Sequence, residues 1–131
     1  MPLRDWRQVM SVNCDGVFLG VKHAIRAMKP GGISGRGGSI INMASICAMV
    51  ALRGAGVYSA AKAAITNLTK IAAVECGQNG YGIRVNSIHP GATRTTMAAQ
   101  PDAAAVIAAS VRGLAIPRIA EPTELTRLVL F

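Results

Sequence analysis

Acidic side chains are scarce in this sequence: six Asp and Glu stand against fourteen Lys and Arg in 131 residues, a formal net charge of +8. A basic excess can mark a nucleic-acid partner when it gathers on one face. Here the cations run from Arg4 and Arg7 through Lys22, Arg26, Arg53 and Arg84 to Arg127 without forming a stripe, and aromatics for stacking reach only 4%. Nucleic-acid binding is therefore set aside. Cysteine is equally sparse. Cys14, Cys47 and Cys76 are three, an odd number without metal-ligand spacing, each in an apolar or helical context. That pattern excludes a metal cluster and implies buried thiols in a reducing compartment. No signal-peptide core follows Met1, which points to the cytoplasm. The longest apolar run, Ile40 to Leu52, is broken by Asn42 and Ser45 and is too short to span a bilayer.

What remains is 51% hydrophobic and 15% charged, the composition of a folded chain with one core over residues 1–131. Apolar residues at Trp6, Val9, Met10, Val17, Val21, Ile25 and Met28 recur with helical spacing, predicting a helix from about Arg4 to Met28. Pro30-Gly31-Gly32 ends it. Ser39 to Ala44 reads as a short buried strand, followed by an irregular crossover from Ala44 to Gly56. A long helix is expected from Val57 to Cys76, closed by Gly77 and Asn79-Gly80 as a left-handed cap and turn. Ile83 to Ile88 is the next strand, cut off by Pro90-Gly91. Strand, helix, strand at this spacing predicts an α/β chain with a parallel sheet. Ala99 to Gly113 suggests a mobile helix over the site. Glu121-Pro122-Thr123-Glu124 opens a last helix, its acids well placed for the N-terminus.

The chemistry concentrates between Ser45 and Lys62. Tyr58 and Lys62 stand four apart at the start of an alanine-rich helix, which puts them on one face within reach of each other. An ammonium beside a phenol favours the phenolate and so suits the tyrosine to proton transfer. Taken alone, the pair more commonly means a half-buried tyrosine next to a solvated lysine. Ser45 adds weight because it ends an apolar strand, where α/β sheets place ligands. The glycines at Gly35-Arg36-Gly37 do not make a dinucleotide fingerprint: Ile40 occupies the third glycine's place, and the segment precedes a strand instead of joining strand to helix.

Four segments together carry a family resemblance: Val12-Asn13-Cys-Asp-Gly16-Val-Phe-Leu-Gly20, Gly38-Ser-Ile-Ile-Asn42-Met-Ala-Ser45, Tyr58-Ser-Ala-Ala-Lys62, and Ile83-Arg-Val-Asn86-Ser-Ile-His-Pro90-Gly91-Ala-Thr-Arg-Thr95. In order and spacing they resemble the short-chain dehydrogenase/reductases, over nearly the whole chain. The resemblance implies a partial Rossmann-like, doubly wound parallel sheet. It also implies that the family's Gly-rich cofactor loop lies before Met1 and its last strand after Phe131.

The implied activity is hydride transfer between NAD or NADP and a secondary alcohol or ketone. Tyr58 would be the general acid/base, Ser45 would hydrogen-bond the substrate oxygen, and Lys62 would tune the tyrosine and grip the nicotinamide ribose. Asn13 would hold a water beside the lysine, or else bond its own helix backbone. Pro90, Gly91 and Thr95 match the segment that holds the nicotinamide, against the simpler reading of a strand-ending turn. Asn42 and Asn86 read as structural, and His89 has no evident partner. Ala48, Met49, Leu52, Met97 and Ile107 could wall an apolar pocket for a bulky alicyclic or steroid-like alcohol. Trp6, Phe18, Ile65 and Leu68 cannot all face one small core, so a homo-oligomer through the helices bearing Asn13 and Tyr58 is expected. The competing reading is a non-catalytic fragment or association partner of such an enzyme, one that binds cofactor poorly by itself.

Overall fold

The computed structural model describes the backbone of residues 1–131 and every side chain except those at 102 and 103. The chain forms two compact units, Met1–His89 and Pro90–Phe131.

The first unit begins with α1 (Leu3–Met10) and α2 (Gly16–Met28), joined without a break by a wide π turn over Ser11–Asp15. The single helix expected from Arg4 to Met28 is thus present but locally unwound. Such insertions commonly accompany functional positions, and this one contains Asn13.

After the glycine turns come β1 (Gly38–Met43), a short 3₁₀ turn at Ile46–Ala48, α3 (Gly56–Gln78) and β2 (Ile83–Ile88). β1 and β2 pair in parallel, in register from Gly38 opposite Ile83 to Met43 opposite Ile88. A parallel pair needs a long crossover, and α3 supplies it.

α3 is held by a stripe of buried residues, Val57, Ala61, Ile65, Thr69, Ala72 and Cys76, at helical spacing. Its small members let the helix sit close on β2. Val21, Ala72, Cys76, Ile83 and Val85 form the core, with Ile25, Met28, Ile40 and Tyr81 packed around them. One polar link crosses this interior. Asn42 Nδ2 donates to Thr69 Oγ1 at 2.8 Å, and Thr69 Oγ1 donates to the Ile65 carbonyl at 2.8 Å. Both residues are buried, so each needs the other. Asn42 is structural, as expected.

Two details differ from the sequence reading. β1 is not a fully buried strand: Ile41 and Met43 are exposed, while Asn42 between them is buried. Strand side chains alternate between faces, and α2 and α3 cover the face that carries Asn42 and Ile40. Gly77 is not a left-handed cap either. The helix runs through it to Gln78, and the positive φ falls at Gly80 (64°) and Gly82 (66°).

Gly37 and Gly82 mark where the two strands start. Gly37 has φ 70°, a side chain there would collide with the Gly82 carbonyl, and Gly38 N–H donates to that carbonyl at 3.1 Å. The close approach of the two backbones is possible because Gly37 lacks a Cβ, while at Gly82 it is the positive φ that favours glycine.

In the second unit, Thr93 and Ala120 form an isolated parallel bridge, closed by Arg94 N–H to the Ala120 carbonyl and Ala120 N–H to the Ala92 carbonyl, each 2.9 Å. It contains α4 (Pro101–Val111) and α5 (Pro122–Leu130). α5 opens with a reciprocal capping box between Glu121 and Glu124, which bears out the acids placed there. Arg118 grips Glu124 through two hydrogen bonds of 2.6 and 2.7 Å, and Arg94 Nε meets Glu121 at 2.7 Å. This double grip holds the Glu124 carboxyl at a pKa of about 2.

Candidate active site

The carboxyl end of β1 and the first turns of α3 bring three of the expected residues into one neighbourhood. Ser45 stands two residues past the end of β1, is buried, and opens the 3₁₀ turn, where its Oγ accepts the Cys47 N–H at 3.2 Å. That bond uses a lone pair of the hydroxyl and leaves its proton to give. α3 packs on this turn.

Tyr58 and Lys62 each lie one position past Val57 and Ala61 of the buried stripe, so both are half-buried at its margin. The Lys62 Nζ lies 5.5 Å from the centre of the Tyr58 ring and donates to the Met43 carbonyl at 3.0 Å. One of its three N–H groups is therefore spent on the strand end, and among the described residues the other two meet no acceptor. Partial burial pushes the Lys62 ammonium below its ordinary pKa, because desolvation penalises the charged form.

Asn13 sits in the π turn, which packs against α3. Its Nδ2 donates to the Val9 carbonyl one turn earlier at 3.1 Å. The side chain thus bonds its own helix backbone, the simpler of the two readings, and its amide oxygen has no donor among the described residues. In the second unit, the Gly91 carbonyl accepts the Thr93 hydroxyl at 3.2 Å, Thr95 Oγ1 accepts the Ala98 N–H at 3.3 Å, and Pro90 is half-buried. Of the proposed pocket wall, Ala48 and Leu52 are half-buried and Met49 is exposed in the first unit. Met97 is exposed and Ile107 half-buried in the second.

His89 is the residue that sequence reasoning passed over. Its Nδ1 lies 3.1 Å from the Ser45 carbonyl and its Nε2 lies 3.0 Å from Ser87 Oγ. The available signal was the strand period: Ser87 and His89 are two apart and share a face at the end of β2. Finding Ser45 as the other partner required the register of the sheet.

The family described as Enoyl-(Acyl carrier protein) reductase matches residues 1–131. The chain is 35% identical over 127 residues to an NADP-dependent (R)-specific alcohol dehydrogenase from Lentilactobacillus kefiri, covering 97% of this chain and 49% of that protein. It is 44% identical over 95 residues to a 3-beta-hydroxysteroid dehydrogenase from Comamonas testosteroni, covering 72% of this chain and 35% of that protein. In structure it is similar to a short-chain type dehydrogenase/reductase from Mycobacterium marinum, with a TM-score of 0.88 at 36% identity, over 99% of this chain and 49% of that one. The chain belongs to the short-chain dehydrogenase/reductase family and has its partial Rossmann-like fold. It spans about half the length of the relatives it matches. No helix among the described residues is long and apolar enough to cross a membrane.

Proposed function

We propose that this chain carries the catalytic portion of an NAD(P)-dependent oxidoreductase acting on secondary alcohols and ketones. One observation carries the reading: Lys62 stands over Tyr58 while tied to the strand end that leads into Ser45. A proton donor, a cation and a buried hydroxyl then share one end of the sheet, where α/β folds bind ligands.

NAD or NADP, when bound, supplies or accepts the hydride. Tyr58 protonates the carbonyl oxygen in reduction and takes the proton back in oxidation. The Ser45 hydroxyl donates to the same oxygen and orients the carbon beside it. The two spare N–H groups of Lys62 suit a ribose diol, and its charge steadies the tyrosine's oxygen. Asn13 offers its free amide oxygen to a water on the proton path. Pro90, Gly91 and Thr95 supply the segment that holds the nicotinamide. The substrate class is a bulky alicyclic or steroid-like alcohol, a reading supported by the name of the Comamonas relative. We place the protein in the cytoplasm and expect a homo-oligomer. Of the residues that raised this expectation, Trp6 and Phe18 are exposed, but Leu68 is half-buried and Ile65 lies fully in the core; Val12, Ile71 and Val74 add exposed apolar side chains on the helices bearing Asn13 and Tyr58.

A second reading, that of a non-catalytic fragment or association partner, is favoured by the sheet, which has two strands among the described residues. Such a sheet gains little stability by itself. Hydride transfer decides between them. The chain alone, and the chain fused to the half of the Lentilactobacillus enzyme that the match leaves uncovered, would be assayed with cyclohexanol and each cofactor. Turnover in the fusion supports the catalytic reading. Tight cofactor binding without turnover in either form contradicts it.

A further inference from the structure

We infer that His89 is a positioning residue for Ser45: its Nδ1–H pins the Ser45 carbonyl and so sets where the Ser45 hydroxyl stands. This rests on the reading of Ser45 as the hydroxyl that meets the substrate oxygen.

The β1–β2 ladder ends with the Ala44 N–H on the Ile88 carbonyl at 2.9 Å. Beyond that bond Ser45 is still extended, with φ −168° and ψ 157°, and no further ladder bond holds it. Two donors replace the ladder. The Ala48 N–H reaches the Ser45 carbonyl at 3.0 Å from within the 3₁₀ turn, and His89 Nδ1 reaches it at 3.1 Å from the residue just past β2. A carbonyl oxygen has two lone pairs, and both are now engaged. The peptide from which the hydroxyl hangs is thereby held from its own turn and from the neighbouring strand.

The ring itself is fixed by Ser87. A carbonyl can only accept, so Nδ1 carries the hydrogen, and in the neutral imidazole Nε2 accepts from the Ser87 hydroxyl. The chain of donors runs from Ser87 O–H to Nε2, then from Nδ1–H to the Ser45 carbonyl. At the far side of Ser45, its Oγ accepts the Cys47 N–H. A group that orients a reacting oxygen is sensitive to displacement, since a shift of about 1 Å can cost on the order of 100-fold in rate. His89 touches no reacting atom in this arrangement and acts through Ser45 alone.

The test exploits the shape of the ring. The amide nitrogen of His89→Asn can occupy the Nδ1 position, whereas that of His89→Gln falls near Nε2 and faces Ser87. In turnover of a secondary alcohol, His89→Asn is expected to stay within about threefold of wild type, while His89→Gln loses about tenfold or more in kcat with KM little changed. In a Ser45→Ala background the difference between the two variants disappears. Equal losses in both variants, or a difference that persists without the Ser45 hydroxyl, overturn the inference.

A second readout needs no turnover: hydrogen exchange of the Cys47 amide in the full chain. It is expected to match wild type in His89→Asn and to quicken about tenfold in His89→Gln, with α3 amides unchanged in both. Equal exchange in the two variants overturns the positioning role. Wild-type turnover in Ser45→Ala would instead refute the role given to Ser45, and the exchange result would still decide His89.

Discussion

Lys62 reaches from the second turn of α3 to the Met43 carbonyl at 3.0 Å, so the helix that presents Tyr58 is bonded through a side chain to the strand that presents Ser45. The contact does two things. It satisfies the last β1 carbonyl before Ala44, and it holds the ammonium in a half-buried position where it pays a desolvation cost.

That cost gives a pH dependence with a definite sign. The folded chain releases the Lys62 proton at lower pH than the unfolded chain, whose value is the ordinary 10.5. Between the two values the unfolded state binds more protons, so this residue's contribution to stability rises with pH through that alkaline window. Urea melts of wild type against Lys62→Met should show the rise in wild type only. The same substitution should lower turnover by about 100-fold or more, because it removes a group from the proton-transfer site.

Thr69→Val keeps the shape of a buried side chain and removes the one partner that the Asn42 amide has among the described residues. Leaving that donor unpaired in the interior should cost about 1–3 kcal/mol, read as a drop in the denaturant midpoint without a change in slope. An unchanged midpoint would mean that Asn42 finds another partner.

Gly37→Ala meets two penalties, a φ of 70° and the Gly82 carbonyl in the place of the new methyl. The left-handed backbone alone costs about 1–2 kcal/mol for a residue with a Cβ, so a loss above that range is expected in thermal or urea melts. Gly54→Ala is the control. It too has positive φ (83°), but nothing lies within 4 Å of its added methyl.

Much of this fold was legible in the sequence because its signals were local. The alanine-rich run and the glycines that close it foretold α3 to within two residues at each end, and the Pro90-Gly91 break after Ile88 foretold β2 at its observed bounds. The capping box at Glu121 was equally local. The misses share a different cause. The wide turn at Ser11–Asp15 contains no proline, and its glycine neighbour stays helical, so nothing in its composition announces it; it packs on a helix more than forty residues away. β1 looked buried because Ile40, Ile41 and Met43 are all apolar, and which face was covered depended on where α2 and α3 settled. His89 was unreadable for the same reason: its partner Ser45 lies 44 residues away and is brought close by strand pairing.

The second unit should respond to acid. Glu124 has a folded pKa of about 2 against an ordinary 4.5, so its contribution is fully present above the ordinary value and is lost as pH falls through about 2. Glu124→Gln should flatten the acid limb of the helicity curve between those two values. Identical curves for the two proteins would show that the Arg118 grip contributes nothing to α5.

The most direct measurement is turnover of Tyr58→Phe in the fusion with the Lentilactobacillus half, beside the parent fusion under identical conditions. The substitution removes one oxygen and keeps the ring beneath Lys62. If Tyr58 is the proton carrier, turnover falls by about 10²–10⁴-fold while the folded structure persists. Turnover equal to the parent's would contradict the role assigned to Tyr58 and, with it, the reading of this site.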